Sequence, residues 1–285
     1  IPVFTPLFIS LRTGQVNILL LCLLVGYLVL WSQKKFKLAS TILAAMILIK
    51  LFPVILLVPL LIKRQWKFVL YTLVSLLGWL IVTLPFTTLD NQIKFIDRAY
   101  NQVVYGIHQD GLQRYDNPTI SGLLYRSVAI HNKQLFQSNS TKNFAVLTNT
   151  NLPLQPASTQ WIGLVHLIIT LCVTGFMLIY SWKNRLLPHT LMDASLWISY
   201  VLLVAKDAHI EYFVLFLPAL VALLYQRKRT TNFILAMVSF GLISLSWIAP
   251  LPFVTLPMVL LWLPTALLGN IVLMISIALH EKSVA

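Results

Sequence analysis

The sequence predicts an all-α polytopic membrane protein, and three observations lead to this prediction. Of the 285 residues, 58% are hydrophobic and only 10% are charged, whereas about a quarter of a soluble domain is charged. The mean hydropathy is +0.83, and several apolar runs approach the roughly 20 residues that a helix needs to cross a bilayer. These runs lack the period-2 alternation of barrel strands. We therefore expect a single transmembrane domain over residues 1–285.

Seven apolar segments are predicted to be membrane-spanning helices, and short basic clusters follow several of them. Such clusters mark the cytoplasmic ends of spans, so the net charge of +13 is a topology signal, and nucleic acid is excluded as a partner. The cytoplasmic clusters are residues 34–37, 63–67, 183–185 and 227–229. The predicted spans are residues 16–31, 68–86, 161–182, 191–205, 212–225, 232–247 and 258–279.

One further apolar stretch, residues 38–62, has basic clusters at both of its ends. It also contains Lys50 and Pro53 at its middle, where a charge is costly and a proline breaks a helix. A re-entrant hairpin of two half-length helices that meet near Lys50 places both clusters on the cytoplasmic side. The alternative is a single kinked crossing with one cluster on the wrong side. The sequence favours the hairpin.

Residues 87–160 form the only long polar segment, and the alternation of spans places this loop outside the cytoplasm. Most of the acidic residues also lie in segments predicted to face outwards, so carboxylate chemistry is expected on that side. The acidic residues in these outer segments are Asp90, Asp97, Asp110, Asp116, Asp207 and Glu211.

Polar residues beside the apolar segments are the candidates for binding and catalysis. Lys50 is the sharpest of these, because an ionisable residue at membrane depth is a functional hypothesis by default; the alternative is a lysine that reaches an interface. Arg12, Gln15 and Asn17 precede the first span. Arg12 could bind a phosphate, whereas the alternative for all three is an ordinary helix boundary and cap.

Two further polar turns carry candidate residues. The turn at residues 114–126 contains basic and acidic side chains, and its alternative interpretation is a solvated loop. The turn at residues 206–212 holds four ionisable residues, among them His209, whose side chain titrates near neutrality and can act as acid or base. An interfacial turn explains it equally well. No pair of histidines has a metal-ligand spacing and no nucleotide-binding glycine loop is present, so no metal or cofactor is predicted.

The order of four motifs resembles glycosyltransferase family 87, the polyprenol-phosphate-mannose-dependent mannosyltransferases of GT-C architecture. Each motif is short, so their order along residues 10–225 carries the resemblance. The motifs are Gly14-Gln15-x-Asn17 before a Leu-rich span, Lys50-Leu-Phe-Pro53 followed by a basic-Trp-basic run at 63–67, the polar turn leading into Gly-Leu-Leu-x-Arg at 117–126, and the His-x-x-Tyr element that begins at His209.

The resemblance implies a GT-C-like transmembrane helix bundle that moves a sugar, mannose, from a polyprenyl-phosphate donor to a glycolipid or envelope glycan. The reaction would take place on the outer face of the cell membrane, where a base deprotonates the acceptor and cations stabilise the leaving phosphate. The implied catalytic residues are His209 and Asp207. The implied substrate-binding residues are Arg12, Gln15, Asn17, Lys50, Asn117, Arg126 and Tyr212.

The sequence departs from the family pattern in two places. GT-C enzymes carry a catalytic aspartate in the first outer loop, after the first membrane helix, and this sequence starts beyond that point. The chain is therefore expected to be the C-terminal portion of a longer protein, with the catalytic aspartate upstream of residue 1. The turn at residues 116–119 also differs from the family's Asn-x-Ser pattern.

Two other functions agree with parts of the pattern. A transporter or lipid flippase would also use a broken helix and a lysine at membrane depth, although no inverted repeat is visible in the sequence. An envelope-polymer ligase or polymerase would share the large outer loop, but its donor would be a lipid-linked oligosaccharide.

Overall fold

The computed structural model describes residues 5–12, 16–94, 96–97, 119–124, 156–186, 189–205, 210–225, 230–245 and 265–284. All regular structure in these ranges is helical, which confirms the predicted all-α fold. The α-helices are α1 (Thr5–Arg12), α2 (Asn17–Ser32), α3 (Phe36–Ile49), α4 (Leu57–Ile62), α5 (Trp66–Thr83), α6 (Pro156–Lys183), α7 (Leu191–Val204), α8 (Leu217–Tyr225), α9 (Thr230–Leu245) and α10 (Thr265–Val284), and two 3₁₀ helices cover Phe52–Leu56 and Ile210–Phe216.

Helices α5 and α6 expose apolar faces of the kind that contact lipid. Both are long and apolar enough to cross a membrane, yet only 17% and 11% of their most apolar windows are buried. Leu77 on α5 and Leu171 on α6 are each 61% exposed. The core helix of a soluble protein would bury these side chains, and a contiguous apolar surface of this size marks contact with lipid or a partner. Together with the apolar composition, these faces identify an all-α membrane protein.

The apolar stretch at residues 38–62 doubles back at Lys50. Helix α3 ends at Ile49, because Pro53 has no amide hydrogen to donate to the carbonyl of Ile49 and its ring clashes there. The chain then continues as a 3₁₀ helix and α4, and residues 51–62 are here called the returning limb. The turn is the predicted hairpin of two half-length helices; a single continuous kinked helix is not formed.

The direction of α5 confirms this hairpin. The rings of Phe36 and Phe68 lie 6.5 Å apart, and further along both helices Thr41 Oγ1 lies 3.2 Å from Ser75 Oγ. Helices α3 and α5 therefore run in the same direction. This is possible only because the returning limb brings the chain back to the end of the bundle at which α3 begins.

Three basic loops lie together at one end of the bundle. The ring of Trp31, at the end of α2, lies 5.1 Å from Phe36, 4.7 Å from Phe68 and 5.2 Å from His189. These contacts join the loop after α2, the loop before α5 and the loop between α6 and α7. We call this the basic end. The start of α2 and the turn at Lys50 lie at the opposite end.

Several predicted boundaries are wrong by a few residues. Helix α6 begins at Pro156, so the last residues of the predicted 87–160 loop are helical; proline is favoured in a first helical turn, where no amide donor is needed. The predicted span 212–225 begins as a 3₁₀ helix and becomes α-helical only at Leu217. The last helix extends to Val284, and residues 258–264 of its predicted span lie outside the described residues.

Polar contacts from buried side chains join helices α7, α9 and α10. Asn270 Nδ2 of α10 donates to the carbonyl of Ser199 in α7 at 3.0 Å, and Ser239 Oγ of α9 donates to the carbonyl of Gly269 at 2.8 Å. Such hydrogen bonds and small residues are typical of helix packing in membranes, where apolar burial alone gives little preference between partners.

Candidate functional site

Lys50 occupies the turn of the hairpin at the end opposite the basic loops. Its backbone is extended, with φ −146° and ψ 134°, and its amide makes the last hydrogen bond of α3. The side chain is half-buried. The break in the helix therefore leaves the lysine at a chain reversal, where the ammonium can reach neighbouring elements.

The ammonium of Lys50 donates to Asn17 Oδ1 at 2.8 Å. Asn17 is the first residue of α2 and is fully buried, but its side chain does not cap its own helix. Because an ammonium can only donate, the amide oxygen must face Lys50 and Nδ2 must point elsewhere. Nδ2 has no hydrogen-bond partner within the described part of the chain. Asn17 thus offers a buried donor that a ligand could use.

Tyr212 completes the group. Lys50 Nζ lies 3.8 Å from the centroid of the tyrosine ring, within the range of a cation–π interaction. The same ring stacks on Phe52 with centroids 5.8 Å apart and planes inclined by 23°. Three residues predicted from separate motifs are therefore brought together. We call Lys50, Asn17 and Tyr212 the Lys50 cluster.

The electrostatics of the Lys50 cluster favour an anion. The ammonium is bonded to the first residue of the 16-residue helix α2, and the positive end of the helix dipole and unsatisfied amide groups lie at such a terminus. No side chain caps this helix start. An ammonium, a spare amide donor and an uncapped helix start are the groups that bind phosphates.

The remaining predicted site residues lie at or beyond the edges of what the structure describes. Arg12 is the last residue of α1, and its side chain lies outside the described residues. The other predicted positions outside the described residues are Gln15, Asn117, Arg126, Asp207 and His209.

The short segment between two of those positions is described, and it docks on the bundle. Thr119 is fully buried and its hydroxyl accepts a hydrogen bond from the amide of Gly122 at 3.0 Å. Ile120 and Leu123 pack against the apolar core. The described part of the Gly-Leu-Leu-x-Arg motif, residues 122–124, thus belongs to a segment that packs on the bundle.

A second polar group, at the basic end, was not predicted from the sequence. Asp193 Oδ2 accepts hydrogen bonds from Lys63 Nζ at 3.0 Å and from His189 Nδ1 at 2.6 Å, and the three side chains are at most 4% exposed. We call these three residues the Lys63 cluster. The sequence signal was an acidic residue inside an apolar helical segment, four positions after a histidine. Lys63 was interpreted as a topology charge and as part of the basic-Trp-basic run, not as a member of a buried ion pair.

No metal-binding site is found in the part of the chain that the structure describes. No group of three or more His, Cys, Asp or Glu side chains could hold an ion there. The Lys50 cluster is built around an ammonium, so it suits an anionic rather than a cationic ligand.

Comparison with known proteins gives the family. Glycosyltransferase family 87 matches residues 1–206, which is most of the chain. The chain belongs to this family of membrane glycosyltransferases, which act between a sugar donor and an acceptor, as the order of the four motifs predicted. The match includes Asn17, Lys50 and the Lys63 cluster and ends before Tyr212. No curated protein and no solved structure matches the chain.

Proposed function

We propose that the protein moves mannose from a polyprenyl-phosphate donor to a glycolipid or envelope glycan on the outer face of the cell membrane. The observation that carries this proposal is the Lys50 cluster at the start of α2. When the bond between the sugar and the phosphate oxygen breaks, that oxygen gains negative charge. Donors placed around it in a water-poor site therefore stabilise the transition state more than the substrate.

The contacts of the Lys50 cluster support the following roles. The ammonium of Lys50 and the spare Nδ2 of Asn17 hold the phosphate, and Tyr212 keeps the ammonium in place through its ring. Asp207 and His209 precede Tyr212 closely in the chain, and we assign acceptor deprotonation to them. We place the remaining substrate-binding residues around the same phosphate and sugar. They are Arg12, Gln15, Asn117 and Arg126.

The distribution of charge supports an outward-facing reaction in a multi-pass, GT-C-like bundle. The loops with residues 34–37, 63–67 and 183–185 share the basic end, which the positive-inside rule assigns to the cytoplasm. The Lys50 cluster then faces the outer leaflet. We also place the loop of residues 87–160 on this outer side.

Removing the ammonium of Lys50 is expected to abolish transfer. In the intact protein, reconstituted with a polyprenyl-phosphate-mannose donor, Lys50→Ala should lower kcat/KM by about 100-fold or more, the usual loss when a donor to a developing oxyanion is removed. His209→Ala should cause a similar loss through kcat. Lys94→Ala is the matched control, because Lys94 is an exposed lysine paired with Asp90. Wild-type transfer by both site variants would disprove the site assignment.

The ring of Tyr212 is expected to matter more than its hydroxyl. Tyr212→Phe retains the ring that faces Lys50 and Phe52, whereas Tyr212→Leu removes it. A cation–π contact contributes about 0.5–2 kcal/mol, so Tyr212→Leu should raise the KM for the donor by roughly 3- to 30-fold. Donor titrations of the two variants measure this. A larger loss for Tyr212→Phe than for Tyr212→Leu would contradict the ring's role.

Transport of a lipid-linked glycan is the second candidate, because broken helices with a charged residue at the break also form transport sites. Proteoliposomes loaded with labelled donor separate the two functions. A transferase forms a new glycosidic bond to the added acceptor. A flippase moves the donor between leaflets and leaves it chemically unchanged.

A further inference from the structure

The Lys50 cluster and the Lys63 cluster lie at opposite ends of the same two elements. Helix α2 begins with Asn17, and near its end Tyr27 and Trp31 pack on His189, with ring centroids 6.1 and 5.2 Å apart. The returning limb follows Lys50 directly and is followed directly by Lys63. The position of the limb relative to α2 is therefore determined by contacts at both of its ends.

The Lys63 cluster is attached firmly to α7. The hydroxyl of Thr190 accepts a hydrogen bond from the amide of Asp193 at 3.2 Å, so the carboxylate lies in the first turn of α7, where the helix dipole favours negative charge. Lys63 and His189 bind the same carboxylate oxygen. Moving Lys63 away would separate a buried ion pair, which a protein interior strongly disfavours.

Among the described residues, the side chains of the limb between the clusters make only apolar and aromatic contacts. Its buried side chains include Leu56, Leu57 and Leu60, and apolar burial is non-directional. Apolar burial keeps the limb against the bundle, but it only weakly determines where the limb lies along the limb's own axis. A slip of one residue moves the limb by about 1.5–2 Å. That distance would break the 2.8 Å hydrogen bond between Lys50 and Asn17.

We propose that Lys63, His189 and Asp193 are positioning residues for Lys50. By fixing the far end of the returning limb to α7, they set the register that places the ammonium beside Asn17. The kinetic consequence rests on the proposed function of Lys50. The structural consequence, the register of the limb against α2, does not.

Cross-linking tests the structural consequence directly. Asn17→Cys and Lys50→Cys are introduced after Cys22 and Cys172, both free and exposed, have been changed to Ser. A short thiol-specific bifunctional reagent should join the pair. Adding Asp193→Asn or Lys63→Met should lower the yield about tenfold, since shifts on the order of 1 Å disrupt such proximity effects. Lys63→Arg, which retains the charge, and Lys67→Met, on an exposed lysine in the first turn of α5, should leave it unchanged.

Kinetics then separate positioning from folding. In the enzyme with Lys50 present, Lys63→Met should raise the KM for the polyprenyl-phosphate donor and lower kcat, and the ratio of the two effects should be the same as for Lys50→Ala. Lys63→Arg should restore KM and kcat to their parental values. A purely structural role would reduce the active fraction and so lower kcat at unchanged KM. If Lys50→Ala itself has no effect on transfer, the proposed function fails, but the cross-linking result still decides the positioning.

A double variant covers the case in which Asp193→Asn does not fold. Lys63→Met with Asp193→Leu removes both charges and replaces them with apolar groups of similar size, a change that buried ion pairs often tolerate. We expect this protein to fold and to retain the low cross-linking yield. Parental cross-linking in the double variant, or in both folded single variants, would overturn the proposal.

Discussion

Asp193→Asn is expected to lower the midpoint of thermal unfolding of the purified protein by roughly 5–15 °C. Its carboxylate neutralises Lys63, whose side chain is 4% exposed, and orients His189, whose side chain is fully buried. Breaking a buried pair by removing one partner costs about 3–5 kcal/mol, because the remaining charge is left in a medium of low polarity. Thermal unfolding in detergent, followed by intrinsic fluorescence, measures the shift.

The same molecule provides the control for this prediction. Asp90 pairs with Lys94 on one helical turn, but the two side chains are 68% and 65% exposed. Exposed pairs of this kind contribute little, so Asp90→Asn should leave the midpoint within about 2 °C of the parent. The double variant of Lys63→Met with Asp193→Leu should recover most of the loss. Equal shifts for the two aspartates would show that burial does not set the cost.

Gly269→Leu is expected to force α9 and α10 apart. A Cβ added at Gly269 would lie 2.7 Å from Ile243 Cγ1 and 3.1 Å from two backbone atoms, the Ile243 nitrogen and the Ser239 oxygen. The isoleucine side chain can rotate, but the backbone of α9 must move as a whole. The hydrogen bond from Ser239 to the carbonyl of Gly269 would be lost with it. Overpacking of this kind costs about 1–3 kcal/mol, in addition to the lost bond.

Gly78→Leu is the matched substitution, because a Cβ at Gly78 of α5 meets nothing within 4 Å. It should leave the midpoint unchanged or raise it, since glycine weakens a helix interior. Size-exclusion profiles and unfolding midpoints of the two variants give the comparison. A Gly269→Leu protein as stable as Gly78→Leu would show that α9 and α10 do not depend on close approach.

The sequence was a good guide to the helices because the length of an apolar run largely decides whether it becomes a helix in a membrane protein. The hairpin at residues 38–62 could also be predicted, because Lys50 and Pro53 both contradicted a continuous crossing, for different physical reasons. The helix ends were less accurate. They depend on capping and proline geometry, as at Pro156, and not on hydropathy.

The candidate site was predictable in its members but not in its contacts. Asn17 and Lys50 each stood out as polar residues beside apolar segments, but their hydrogen bond depends on the tertiary packing that brings the end of α3 to the start of α2. Lys63 could not be distinguished from its neighbour Arg64 in the sequence. Its side chain is nearly fully buried whereas Arg64 is exposed, and this difference arises only from tertiary packing.

The hairpin also changes how the chain must be counted across the membrane. Helices α3 and α5 point the same way, so α3 and the returning limb together run along the bundle and back. If residues 38–62 are counted as one membrane crossing, every helix from α5 onwards is assigned the opposite direction across the membrane relative to α2. Under the topology proposed above, reporter fusions interpreted with that count would wrongly assign the Lys50 cluster and the loop of residues 87–160 to opposite faces of the bilayer.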